Sequence, residues 1–94
     1  MNKALILVVE DDKEIRDGIE IFLKSQDYKY ITAENGSSAI LEASSHKPEI
    51  ILLDLGLPDM EGVDVIKKVR TWSNVPIIVI SARSEDVDKI EALD

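Results

Sequence analysis

The chain has 94 residues, 45% hydrophobic and 32% charged, which suits one small folded domain and leaves no room for two. Nineteen acids against eleven bases give a formal charge of −8, which repels nucleic-acid phosphates and argues against direct DNA binding by this segment. No cysteine is present, which excludes disulfides and thiolate metal sites and fits a cytoplasmic protein; no apolar run approaches the roughly 20 residues of a membrane span.

In chain order, the first element is the apolar run from Ala4 to Val9, which reads as a strand buried on both faces of a parallel sheet. Three acids follow it, Glu10, Asp11 and Asp12. Asp12 suits the N-cap of a first helix whose Ile15, Ile19, Phe22 and Leu23 share one face. Tyr28 to Ala33 alternates and carries Lys29 and Thr32, as an edge strand does. Asn35-Gly36 opens a second helix, with Ala39, Ile40 and Ala43 inward and Pro48 beyond its end. Ile50 to Leu53 is a second buried run, followed by Asp54 and a Leu-Gly-Leu-Pro loop. A third helix from about Val63 to Arg70 is expected to bury Val63, Ile66 and Val69. Ile77 to Ile80 is a third buried run, and Ser81 follows it. A fourth helix is expected from Ser84 or Glu85, with Val87, Ile90 and Leu93 at helical spacing.

Alternating strands and helices predict an α/β fold, a flavodoxin-like doubly wound parallel sheet of strand order 2-1-3-4. In such sheets ligands bind beyond the C-terminal ends of the strands. Glu10 and Asp11 stand there after the first strand, and Asp54 after the third. Converging carboxylates repel unless a cation sits among them, and an all-oxygen set favours Mg²⁺ or Mn²⁺ over zinc. Asp54, the lone acid at its strand end, is the candidate nucleophile for an aspartyl phosphate. Ser81 can offer a hydroxyl to a phosphoryl oxygen. Each residue alone has a plainer role: Glu10 and Asp11 as acids at a helix N-terminus, Asp54 and Ser81 as turn residues. Their joint placement on three strands favours the chemical reading. His46 reads as a solvated surface residue and Trp72 as a packing residue.

These residues resemble the response-regulator receiver family. Leu7-Val-Val-Glu-Asp-Asp12 is similar to that family's first strand and acidic pair, Leu52 to Gly62 to its phosphorylation loop, and Val79 to Arg83 to its switch strand. Asp54 to Asp59, with Ser81 to Glu85 and Asp88 to Asp94, is similar to the winged-helix transcription-factor branch, and within it to regulators of potassium transport. The resemblance implies that Asp54 accepts a phosphoryl group from a sensor histidine kinase. It implies Mg²⁺ held by Glu10, Asp11, Asp54 and the backbone carbonyl of Gly56, with Ser81 as the switch hydroxyl. It also implies a homodimer in the active full-length form, and DNA contact only through an output domain that this segment lacks, with no membrane contact.

Family members continue for roughly 25–30 residues more, enough for one further βα unit. That unit carries a lysine for which no lysine of this sequence substitutes. The 94-residue chain is therefore expected to be an incomplete receiver, not a competent switch. It is also expected to associate through an open edge at Ile77 to Ile80, beside apolar surface left bare next to the first helix. Two rival functions are a Mg²⁺-dependent phosphatase of the haloacid-dehalogenase type and an interaction module that is never phosphorylated. The phosphatase needs a second aspartate two residues after the nucleophile, where this chain has Gly56.

Overall fold

A computed structural model describes residues 4–80 and the short strand at 92–93. Strands β1 (Leu5–Val9), β2 (Lys29–Ala33), β3 (Ile50–Asp54) and β4 (Ile77–Ile80) alternate with helices α1 (Lys13–Ser25), α2 (Gly36–His46) and α3 (Gly62–Val69). The four strands are parallel in the expected order β2-β1-β3-β4. A two-residue strand β5 (Ala92–Leu93) pairs antiparallel with the outer edge of β4, Ile77 opposite Leu93 and Ile78 opposite Ala92. Among the described residues there is no fifth parallel strand. Leu93, expected on a helix, therefore lies in a strand; the open backbone edge of β4 is a stronger local template than helical spacing. The rest of the expected fourth helix lies outside the described residues.

Side-chain alternation along the strands divides the core in two. Leu7, Val9, Ile51, Leu53, Ile77 and Val79 point to the face covered by α2 and α3, where they meet Ala39, Ala43, Val65, Ile66 and Val69. Ile6 and Val8 point to the other face and pack with Leu23 of α1, with Ile19, Ile50 and Leu52 partly buried around them. Among the described residues, α1 covers that second face incompletely: Ile78 is 43% exposed and Phe22 60%. Phe22 was expected to face inward with Ile15, Ile19 and Leu23. It lies instead on the flank of α1, because the covered stripe follows the i, i+4 row through Ile15, Ile19 and Leu23. Val63 is likewise exposed, and Val65 takes the buried place on α3.

The helix starts follow from local chemistry. Asp12 caps α1, its Oδ1 accepting from the backbone N–H of Glu14 at 2.9 Å and of Ile15 at 3.2 Å. Asn35 caps α2 through the Ser38 N–H at 2.8 Å. Lys47 ends α2 in the left-handed region at φ 50 and is followed by Pro48, which cannot continue a helix.

Candidate functional site

The register brings the acids together. Val9 of β1 pairs with Leu53 of β3, so the next residues, Glu10 just past β1 and Asp54 at the end of β3, stand side by side. One carboxylate oxygen from each of Glu10, Asp11 and Asp54 lies within 4.8 Å of the other two. Glu10 is 2% exposed and Asp54 5%, while Asp11 is open to solvent. Buried carboxylates require partners. The Glu10 carboxylate accepts from the Asp12 N–H at 3.1 Å, and its own N–H donates to the Ala33 carbonyl at 3.0 Å, tying the acidic loop to the end of β2.

Burial pushes the Glu10 carboxyl from 4.5 to about 7, against the lowering effect of the Asp12 N–H; the charges of Asp54 and Asp11 push it the same way as burial does. A site that raises the proton affinity of one acid this way also favours a cation among the acids. All three side chains present oxygen, the donor type of hard ions. Phosphate oxygens would complete such a coordination sphere.

Arg16 was not singled out from the sequence. Its Nη1 donates to the carbonyls of Glu10 at 2.9 Å and Asp11 at 3.4 Å, and its Nη2 lies 3.6 Å from Glu34 Oε2. It stands four residues after the N-cap Asp12, one turn up α1, and so reaches back over the acidic loop. The available signal was that i, i+4 spacing, but its partners are backbone carbonyls, which no residue pattern announces.

The loop after Asp54 is closed on itself. The Gly62 N–H donates to the Leu55 carbonyl at 3.0 Å, and Gly56 bridges to Glu61. Asp59 at the tip of the loop accepts from the N–H groups of Gly36 at 2.7 Å and Ser37 at 3.0 Å, at the start of α2. Those two bonds hold its carboxyl below the usual range.

Ser81 lies outside the described residues. His46 is exposed, 3.0 Å from Glu42 Oε1, and far from the acids in the fold, as expected. Trp72 is 43% exposed and lines a cleft with Lys47, Pro48, Val69 and Val75 at the opposite pole, so it packs less fully than its sequence reading suggests.

A family model described as "Response regulator receiver domain" matches residues 6–94. The chain is 44% identical over 91 residues to the transcriptional regulatory protein KdpE of Mycobacterium tuberculosis, and 47% over 89 residues to the KDP operon transcriptional regulatory protein KdpE of Escherichia coli. These alignments take in 97% and 95% of the chain and 40% of each relative, so the chain spans well under half of the curated relatives it matches. Among solved structures, the chemotaxis regulator CheY4 of Vibrio cholerae superposes with a TM-score of 0.84 at 27% identity, over 94% of this chain and 76% of that one. The response regulator TrrA of Thermotoga maritima, in complex with Mg²⁺ and beryllium fluoride, gives 0.82 at 30%, over 90% and 75%.

Proposed function

The chain belongs to the response-regulator receiver family, and on that footing we propose that Asp54 accepts a phosphoryl group from a sensor histidine kinase. The observation that carries this reading is the buried Asp54 carboxylate at the end of β3, within reach of Glu10 and Asp11. An Asp54 carboxylate oxygen attacks phosphorus as the bond from phosphorus to the histidine nitrogen breaks. The nitrogen keeps the electron pair, and Asp54 becomes an aspartyl phosphate. Glu10, Asp11, Asp54 and the Gly56 carbonyl would hold Mg²⁺, with Mn²⁺ as a substitute. Bound there, the ion neutralises charge on the transferring phosphoryl oxygens. The Mg²⁺ and beryllium fluoride bound by the Thermotoga relative support the same pairing of a hard ion with a phosphate-like group.

Within this scheme Arg16 and the Asp12 N–H hold the acidic loop, and the closed 55–62 loop holds the Gly56 backbone. Ser81 supplies the switch hydroxyl. The complete protein would be a cytoplasmic transcription regulator that dimerises when phosphorylated and meets DNA through a separate output domain, in keeping with the two KdpE relatives. Among the described residues no helix is long and apolar enough to cross a membrane. Incubating the full-length protein with acetyl phosphate and Mg²⁺ and mapping the adduct tests the assignment. The adduct is expected on Asp54 and lost in Asp54→Ala; label that survives on another residue in that variant defeats it.

A further inference from the structure

The tip of the loop between β3 and α3 is gripped by a helix that follows it nowhere in sequence. Asp59 sits 22 and 23 residues after the amides it binds, those of Ser37 and Gly36, and its two carboxylate oxygens take one each. Asn35 takes the Ser38 N–H through its side chain and the Ala39 N–H through its carbonyl. The amides of Gly36, Ser37 and Ser38, which the first turn of α2 leaves without carbonyl partners inside the helix, are thereby satisfied, two of the three by Asp59. Packing repeats the same contact: a Cβ at Gly36 would collide with Met60 Cγ and Sδ. Glycine at position 36 leaves the space that the Met60 side chain occupies.

We propose that Asp59 is a positioning residue for the metal site: by clasping the loop tip to the start of α2, it sets the position of the Gly56 carbonyl relative to Asp54. This rests on the reading of Glu10, Asp11, Asp54 and Gly56 as the metal-binding set. The loop is anchored at three points. Asp54 is fixed by β3, Gly62 is bonded to Leu55, and the tip is held by Asp59 and Met60. Gly56 lies on the limb between the first anchor and the third. With the third anchor gone, that limb keeps the Gly62–Leu55 bond and the bridge of Gly56 to Glu61 at its base but loses its tie to α2. A side-chain ligand keeps its reach when its backbone drifts, but a carbonyl ligand moves with the backbone. The Gly56 contact is therefore the one that loosens.

Two measurements on the full-length protein separate the clasp from the metal site: hydrogen exchange at the Gly36 and Ser37 amides, and Mg²⁺ titration. Asp59→Ala is expected to speed exchange at both amides and to weaken Mg²⁺ binding roughly tenfold, within the range found for groups that orient metal ligands without touching the metal. Asp59→Asn keeps one acceptor oxygen and is expected to fall between; it also carries the comparison if the alanine variant does not fold. Asp11→Asn is the control for the metal-site reading. If that variant binds Mg²⁺ as the parent does, the acids are not the site and the positioning role falls with it. If Asp11→Asn weakens binding while Asp59→Ala frees the amides and leaves Mg²⁺ affinity unchanged, the clasp is structural only and the positioning role alone is overturned.

Discussion

Glu10 places a carboxylate where water hardly reaches it, 2% exposed, with Asp11 and Asp54 as neighbours. Burial and those neighbours raise its proton affinity; the Asp12 N–H works against that, while the Arg16 guanidinium binds the backbone carbonyls of Glu10 and Asp11. With its carboxyl raised from 4.5 to about 7, the folded chain binds more protons than the unfolded chain across that interval. Stability from this group therefore falls as pH rises through the window and is fully present only below it. A bound cation reverses the penalty. Two outcomes are expected in thermal melts: Glu10→Gln flattens the decline over that interval, and Mg²⁺ raises Tm more near pH 8 than near pH 5, since protons compete with the ion at the lower pH. An unchanged pH slope in Glu10→Gln would place the strain elsewhere. The acids themselves were legible in the sequence, because each directly follows an apolar run. Arg16 and Asp59 were not, because their partners are backbone carbonyls and amides that folding alone brings near.

At the level of elements, three strands announced themselves as unbroken apolar runs, and the helix starts at Asp12 and Asn35 as capping residues. What the spacing left open was which side of each helix would find a cover. Ile15, Phe22 and Val63 all lie at plausible helical positions, yet Phe22 and Val63 are exposed, since coverage depends on how α1 and α3 lie across the sheet. The loop from 55 to 62 shows the same limit. Gly62 has no positive φ, so its glycine is not required by backbone conformation. The requirement is space: a Cβ there would stand 2.7 Å from Leu55 Cα and 3.1 Å from the Asp54 carbonyl. Backbone cannot swing aside as a side-chain tip can. Gly62→Ala is expected to destabilise the chain by about 1–3 kcal/mol, the usual range for forcing atoms into a packed site. Urea denaturation checks this, and a loss under about 0.5 kcal/mol would mean that the loop yields at little cost.

At the scale of the whole molecule, the described helices cover one face of the sheet fully and the other only in part. The α2–α3 face closes over Leu7, Leu53, Ile77 and Val79, all nearly inaccessible. On the α1 face, Leu52 and Ile50 are only partly buried, and Ile78 and Phe22 are 43% and 60% exposed. The sequence reading placed exposed apolar surface beside the first helix, and Phe22 of α1 is exposed. The open edge at Ile77 to Ile80 was foreseen as well, but β5 already pairs with Ile77 and Ile78. Self-association of the 94-residue chain should therefore proceed through the face more than the edge, since an edge already paired offers fewer free backbone groups. Exposed apolar side chains on a partly covered sheet favour burial against a second copy. Sedimentation of the 94-residue chain is expected to show concentration-dependent association. Joint replacement Phe22→Ser and Ile78→Thr should shift it towards monomer, because both side chains are exposed in the single chain and contribute little to its own core. A chain that stays monomeric at high concentration would show that the uncovered face drives no association; association unchanged in the double variant would return the contact to the edge of β4.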